Sequence, residues 1–152
     1  MGDLLTVKEL RTVFSTENRE VTPVADVSFS VKAGETLGIV GESGCGKSVT
    51  SASIMRLLGR KGRIHSGAIL FEGKDLVKMS DEELRRIRGN RISMIFQEPM
   101  TSLNPVFTIG YQMNEAIRLH LQLDFAAAEK YAVEMLNKVG IPRAEAIFNS
   151  YP

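Results

Sequence analysis

The chain has 152 residues, which is enough for one domain with a buried core. Its 43% hydrophobic and 24% charged residues are typical of a soluble globular protein, and no segment is long and apolar enough for a membrane-spanning helix. A net charge of +1 argues against a general polyanion-binding surface, so we expect no nucleic-acid partner. The single cysteine excludes an intrachain disulfide.

The N-terminal part of the chain predicts two antiparallel strands. Residues 4–14 alternate as a strand does, and residues 27–31 alternate apolar with polar side chains, the pattern of a half-buried strand. The polar, turn-rich residues 15–23 lie between them. So short a connection cannot make a parallel crossover, so the two strands are expected to pair antiparallel.

Residues 41–48 read GESGCGKS, a complete G-x-x-x-x-G-K-S phosphate-binding loop. Its glycines allow a tight turn in which backbone N–H groups converge on one anion, Lys47 adds a positive charge, and the Ser48 hydroxyl can ligate Mg²⁺. The candidate binding residues are the whole octet: Gly41, Glu42, Ser43, Gly44, Cys45, Gly46, Lys47 and Ser48. The apolar run 36–40 (TLGIV) predicts a buried strand before the loop. Residues 48–59 predict a helix after it, whose N-terminus would face the phosphates.

Three further elements follow the loop. Residues 66–73 predict a strand with Ile69 and Phe71 on one face. The sequence SDEE that begins at Ser80 is a capping box, which predicts a helix running to about residue 88. Residues 92–96 (ISMIF) predict a second apolar strand.

The last third of the chain changes in composition. Residues 98–105 contain two prolines, an Asn, a Ser and a Thr, and predict an ordered loop. From about residue 109 the chain is expected to be helical, and the helix that contains the apolar side chains of residues 128–139 is expected to end at the Gly-Ile-Pro of residues 140–142.

Three stretches together resemble the ATP-binding subunits of ABC transporters, and most closely the oligopeptide/dipeptide importer branch, which includes nickel and glutathione importers. They are residues 41–48, residues 92–105 (ISMIFQEPMTSLNP) and residues 149–152 (NSYP). The resemblance runs along essentially the whole chain. It implies an α/β fold: a P-loop NTPase core of the ABC ATPase type, incomplete, with an N-terminal antiparallel β subdomain and the start of the helical subdomain.

The resemblance also implies a domain division and site roles. Residues 1–152 would be the N-terminal portion of an ABC ATPase domain, with the β subdomain and phosphate-loop core to about 97 and the loop and helical subdomain over about 98–152. The octet matches the family's Walker A loop for ATP and Mg²⁺. Gln97 matches the Q-loop glutamine, which touches Mg²⁺ and the attacking water; a carboxamide can both accept and donate there. Phe14 matches an aromatic that stacks on adenine.

Two of these roles have plain structural alternatives. Without the resemblance, Gln97 is an ordinary polar end of a strand. Phe14 is equally typical of a core strand.

Partners and location follow from the resemblance as well. Residues 98–120 would dock on membrane-spanning permease subunits, and a second ATP-binding subunit would complete the nucleotide site. The expected place is the cytoplasmic face of the inner membrane, as a peripheral subunit, with the fragment itself soluble.

Several family motifs are not found in the 152 residues: the Ser-Gly-Gly signature, the apolar strand ending in Asp-Glu, and the switch His. We therefore interpret the chain as the N-terminal part of a longer protein. Although the family hydrolyses ATP, this chain lacks the carboxylates that hold Mg²⁺ through water and polarise the attacking water. It is expected to bind ATP weakly and to be inactive alone.

Two other functions remain open on the sequence. One is a nucleotide-binding module without catalysis. The other is a small P-loop phosphotransferase, which needs an acidic or arginine-rich lid where this chain instead matches a transporter helical region. A GTPase is disfavoured because residues 137–140 (NKVG) lack the Asp of a guanine-reading motif.

Overall fold

The protein, described here by a computed structural model over residues 2–17, 19–97 and 102–152, divides into two compact units. Unit 1 is Met1–Leu84 and unit 2 is Arg85–Pro152. Unit 1 is built on a β-sheet and unit 2 on helices. The subdomain boundary near residue 97 stays a prediction.

Unit 1 contains a four-stranded antiparallel sheet with the strand order β2-β1-β3-β4. The antiparallel pairing of the first two strands is confirmed, but β2 begins inside the predicted connection, which shrinks to residues 16–19. The Thr16 N–H and hydroxyl both donate to the Arg19 carbonyl, at 2.9 and 2.7 Å, which joins the two ends of the connection. The strands are β1 (Leu5–Ser15), β2 (Glu20–Val31), β3 (Gly62–Phe71) and β4 (Lys74–Asp75).

The central strand β1 carries much of the buried surface of unit 1. Val7 on β1 lies opposite Ile69 on β3, and both side chains are almost fully buried. Removing such side chains from water is worth about 1.5–3 kcal/mol each, so this contact anchors the sheet. The buried apolar side chains of the sheet and the loop after it are Val7, Leu10, Val13, Val24, Ile69, Phe71 and Leu76.

Two helices lie between residues 47 and 87. The first, α1 (Lys47–Ile54), ends earlier than predicted, because Arg56 adopts a left-handed backbone with φ of 50° that stops the helix well before residue 59. The second, α2 (Asp81–Ile87), spans the boundary between the units. Its capping box is confirmed: the Ser80 N–H donates to Glu83 Oε2 at 2.8 Å, and the Glu83 N–H donates to Ser80 Oγ at 3.3 Å.

The predicted strands at residues 36–40 and 92–96 are wrong: neither is a strand. Both segments run without regular structure, apart from a single bridge of Ile92 to Arg88. No group of residues 36–40 or 93–96 is hydrogen-bonded to another described residue. A strand exists only as part of a ladder, and the described residues supply no neighbour for either segment. Val40 is 92% exposed and Ile95 99% exposed, so the expected burial is absent as well.

Unit 2 contains three helices around a small apolar cluster, which confirms the helical prediction for the end of the chain. The helices are α3 (Ile109–Leu121), α4 (Phe125–Lys138) and α5 (Ala144–Phe148). The cluster consists of Ala132, Leu136, Ala144 and Phe148, with Met113, Ile117, Val133, Ile141 and Ile147 packed against it. Among the described residues, no helix has the length and apolar character needed to cross a membrane.

Candidate nucleotide-binding site

The predicted phosphate loop is a wrapped turn in the structure. Residues 43–46 form turns and bends rather than extended backbone, and the Cys45 N–H donates across the turn to the Glu42 carbonyl at 3.4 Å. Gly44 and Gly46 have φ of 81° and 97°, backbone values that residues with a Cβ rarely adopt. The glycines therefore allow the curvature that the sequence motif predicts.

The ammonium group of Lys47 lies inside this turn. Its Nζ donates to the carbonyl oxygens of Gly41 at 2.7 Å and Glu42 at 2.6 Å, and it lies 3.5 Å from the Cys45 sulfur. The side chain thus folds back over the loop that precedes it. A positive charge held at the centre of a turn is placed to meet a polyanion such as a phosphate chain.

The N-terminus of α1 has no side-chain cap. Its N-cap residue is Gly46, which has no side chain to accept a hydrogen bond, and no acidic residue lies in its first turn. The first N–H groups of a helix have no partner inside the helix, and together they carry a partial positive charge. At α1 these donors follow the loop directly, so an anion held by the loop would meet them too.

The loop and α1 are fixed to the sheet by two contacts. A Cβ at Gly46 would collide with the Pro23 carbonyl oxygen, so the loop lies against β2 as closely as backbone allows. The Thr12 hydroxyl on β1 and the Ser53 hydroxyl on α1 are buried and 2.8 Å apart, within hydrogen-bond distance. These contacts with β1 and β2 therefore fix the position of the phosphate loop on the sheet.

Ser48, the predicted Mg²⁺ ligand, is in the first turn of α1 with its side chain exposed. A hydroxyl oxygen suits Mg²⁺, which takes oxygen ligands and completes its shell with phosphate oxygens and water. The donor chemistry therefore fits the ion, and the ligand role itself stays a prediction.

Phe14, the predicted adenine platform, is half-buried near the end of β1, opposite Val21 on one side and Gly62 on the other. A Cβ at Gly62 would lie 2.8 Å from Phe14 Cε1 and 2.7 Å from the Leu58 carbonyl oxygen. The ring therefore packs against the bare backbone of Gly62. Sequence reasoning missed Gly62, because only the strand register reveals that it faces an aromatic ring.

Gln97 is exposed and lies in a bend of unit 2, after residues 93–96, which have no hydrogen-bond partner among the described residues. Its role in positioning water or Mg²⁺ stays a prediction. The predicted docking region 98–120 falls partly on residues 98–101, which lie outside the described residues; the remainder comprises residues 102–108 and most of α3.

Comparison with known proteins gives a consistent result. The family model described as ABC transporter matches residues 24–150. A putative peptide import ATP-binding protein of Brucella melitensis is 54% identical over 155 residues, which cover 98% of this chain and 46% of the relative. The oligopeptide transport ATP-binding protein OppD of Escherichia coli is 48% identical, with 98% of this chain and 44% of the relative covered. The chain therefore spans less than half the length of these relatives.

The fold has a solved counterpart. A dimeric, post-hydrolysis form of the ATP-binding cassette MJ0796, bound to ADP and Pi, superposes with a TM-score of 0.83 at 21% identity. The match covers 97% of this chain and 61% of that chain, so the fold class predicted from the sequence is confirmed. With the phosphate loop formed and the family model matched over most of its length, the chain belongs to the ABC transporter family.

Proposed function

We propose that this chain is the ATP-binding portion of an ABC-type importer ATPase that energises the uptake of peptides or similar solutes. The observation that carries the proposal is the phosphate loop, which is closed around the Lys47 ammonium and followed by the uncapped N-terminus of α1. The relatives that are named as peptide, oligopeptide or dipeptide transport ATP-binding proteins support the transport role.

In this proposal the chain's own groups bind the phosphate chain of ATP. The Lys47 ammonium exchanges its carbonyl partners in the loop for phosphate oxygens, and the N–H groups of the loop and α1 donate to the same anion. Ser48 ligates Mg²⁺, whose charge offsets that of the phosphates. Phe14 stacks on the adenine ring, and Gln97 positions water near the terminal phosphate.

We further propose that the chain alone binds ATP but does not hydrolyse it. Its 152 residues contain neither the signature nor the acidic pair expected of a complete site. Hydrolysis would then require further polypeptide, including a second ATP-binding subunit. In the whole assembly the protein would sit peripherally on the cytoplasmic face of the inner membrane, contacting permease subunits through about residues 98–120.

The test is the binding of a fluorescent ATP analogue with Mg²⁺ to the purified chain. Lys47→Ala should weaken binding by about tenfold to a hundredfold, because each charge-assisted hydrogen bond is worth about 1.5–3 kcal/mol. Lys74→Ala is the matched control: it removes the same charge from an exposed position on β4 in the same unit. No binding by the folded wild-type chain, or equal losses in both variants, would contradict the proposal.

The claim about hydrolysis has its own measurement. Phosphate release from ATP by the wild-type chain should not exceed that of Lys47→Ala. A steady turnover that the substitution abolishes would show that the chain carries its own catalytic groups, and would overturn the claim of inactivity while leaving ATP binding intact.

A further inference from the structure

Gly62 on β3 lies in a space that leaves no room for a side chain. A Cβ at this position would be 2.7 Å from the Leu58 carbonyl oxygen and 2.8 Å from both Leu58 Cβ and Phe14 Cε1. Nonbonded carbon atoms are most stable about 3.5–4.0 Å apart, so each of these contacts would be a collision. The φ of Gly62 is not positive, so this position requires glycine for its small size and not for its backbone conformation.

The backbone around Gly62 is fixed more firmly than the ring beside it. Phe14 and Gly62 are directly paired in the β1–β3 ladder. Just beyond this pair, the Ser15 N–H donates to the Lys61 carbonyl at 2.9 Å. Cε1, in contrast, is at the far end of the Phe14 side chain and moves by rotation about two torsion angles. A Cβ at position 62 would therefore displace the ring rather than the strands.

We propose that Gly62 is a positioning residue for the nucleotide base, because its lack of a side chain lets the Phe14 ring take the orientation that stacks on adenine. The inference rests on the proposed function, in which Phe14 is the residue that contacts adenine. Stacking depends on the offset and the angle between two rings, so a displaced ring loses much of the interaction. A ring that is already held against β3 also loses less side-chain freedom when the base binds.

The base contact and the phosphate loop are supported separately on the same sheet. Thr12 lies two residues before Phe14 on β1, so the two side chains are on the same face of the strand. The buried contact between the Thr12 and Ser53 hydroxyls fixes α1, which begins at the phosphate loop. A side chain at position 62 meets Phe14 and not this contact. It should therefore weaken the interaction with the base and spare the interaction with the phosphates.

The test measures the affinity of the purified chain for ATP and for inorganic tripolyphosphate, each with Mg²⁺. Tripolyphosphate has no base, so its affinity reports on the phosphate loop alone. Stacking of a base on an aromatic ring is worth about fivefold or more in affinity, so Gly62→Ala should weaken ATP binding at least about threefold. Tripolyphosphate binding should stay within about twofold of wild type.

Gly38→Ala is the matched control for this measurement. It makes the same substitution in the same unit, at a glycine that also has no positive φ, and no atom lies within 4 Å of the added Cβ. Its affinities for both ligands should equal those of wild type.

A double variant shows whether Gly62 acts through the ring. Phe14→Ala should lower the affinity for ATP about fivefold or more. Adding Gly62→Ala to that variant should cause no further loss, because no ring remains to be displaced. Losses that multiply in the double variant would show that Gly62 acts independently of Phe14, and would overturn the inference.

NMR supplies a measurement that needs no substitution at position 62. A nuclear Overhauser effect between the Phe14 ring protons and the Gly62 Hα protons should be present in the free chain and persist with saturating ATP and Mg²⁺. The ring protons should shift at the same time, because adenine stacks on them. Loss of the Overhauser effect on ATP binding would overturn the inference, even if Gly62→Ala failed to fold.

The outcomes separate this inference from the proposed function. A folded wild-type chain that binds neither ligand contradicts the proposed function and removes the inference with it. Binding of both ligands with no loss in Phe14→Ala contradicts stacking on Phe14, and the inference fails while the phosphate loop stands. A loss in Phe14→Ala without one in Gly62→Ala, or equal losses of both ligands in Gly62→Ala, overturns the role of Gly62 alone.

Discussion

The N-terminus of α1 differs from those of α3 and α4 in its N-cap residue. Thr108 and Asp124 cap α3 and α4 from an extended backbone, and each side chain accepts a hydrogen bond from an N–H of the first turn. At α1 the cap is Gly46 in a left-handed conformation, with no side chain and no acid nearby. In α3 and α4 the cap side chain accepts from one N–H of the first turn, whereas α1 has no side-chain cap, and the proposed function assigns its N-terminal N–H groups to the phosphates of ATP.

The strongest test of this difference is to give α1 an N-cap residue whose side chain can accept a hydrogen bond. Ser at the N-cap normally stabilises a helix relative to Gly. Gly46→Ser should instead destabilise the protein by more than about 2 kcal/mol, since a left-handed residue with a Cβ costs about 1–2 kcal/mol and this Cβ also collides with the Pro23 carbonyl oxygen. The free energy of unfolding in urea measures the loss.

The matched control is Gly44→Ser, at a loop glycine with φ of 81° and no atom within 4 Å of the added Cβ. This variant should show only the backbone cost of about 1–2 kcal/mol. Equal losses in the two variants would mean that the contact with β2 does not constrain the loop.

A second change should move stability and binding in opposite directions. Ser48→Asp places a carboxylate in the first turn of α1 at an exposed position, where the helix dipole should add about 0.3–1 kcal/mol to the free energy of unfolding. The same charge would face the phosphates, so affinity for the ATP analogue should fall at least about tenfold, or 1.4 kcal/mol. A variant with more stability and full affinity would disprove that this helix end serves an anion.

Removing the caps of the other two helices should affect stability alone. Thr108→Ala and Asp124→Ala should each lower the free energy of unfolding by about 1 kcal/mol, because an N–H in each first turn loses its acceptor. Affinity for the ATP analogue should stay within twofold of wild type, about 0.4 kcal/mol. A larger loss of binding than of stability would show that the N-terminus of α3 or α4 contributes to the nucleotide site.

The smallest expected effect concerns the other end of α4. A hydrogen bond from Lys138, together with its charge, lowers the pKa of Glu134 from 4.5, and the Lys138 Nζ lies 2.8 Å from Glu134 Oε1. Because the folded-state pKa is the lower one, any stability from the pair is present above pH 4.5 and is lost as the pH falls through the folded-state pKa. Titration of the Glu134 carboxyl by NMR should show the pKa rising toward 4.5 in Lys138→Ala.

Lys130→Ala is the comparison for that titration. The charge of Lys130 lowers the pKa of the same carboxyl by less, so its loss should shift the pKa of Glu134 upward by less than the loss of Lys138 does. A larger shift in Lys130→Ala would contradict the pairing seen in the structure.

Local signals in the sequence predicted local structure well. The two residues of the capping box, Ser80 and Glu83, lie within four positions of each other in the sequence. The phosphate loop likewise has the turn and the following helix that its glycines and lysine predict. These features depend on residues close together in the chain. The apolar run 36–40 looked equally clear, yet its state depends on neighbouring strands that no local pattern supplies.

The position of the site depends on contacts distant in sequence. Nothing near Gly46 indicates that Pro23 lies against it, and nothing near Phe14 indicates the bare backbone of Gly62. Both contacts follow from the strand register and from the placement of α1 over the sheet. Sequence analysis could therefore identify the members of the loop, but not what supports it.

Cys45 gives the molecule a built-in spectroscopic handle. It is the chain's one thiol, it is exposed, and it lies 3.5 Å from the amine that the loop surrounds. A maleimide dye would therefore label a single known site without engineering. Conversely, a thiol-blocking reagent in a purification buffer would attach inside the loop that the proposed function assigns to ATP, so such reagents should be left out of handling before a binding measurement.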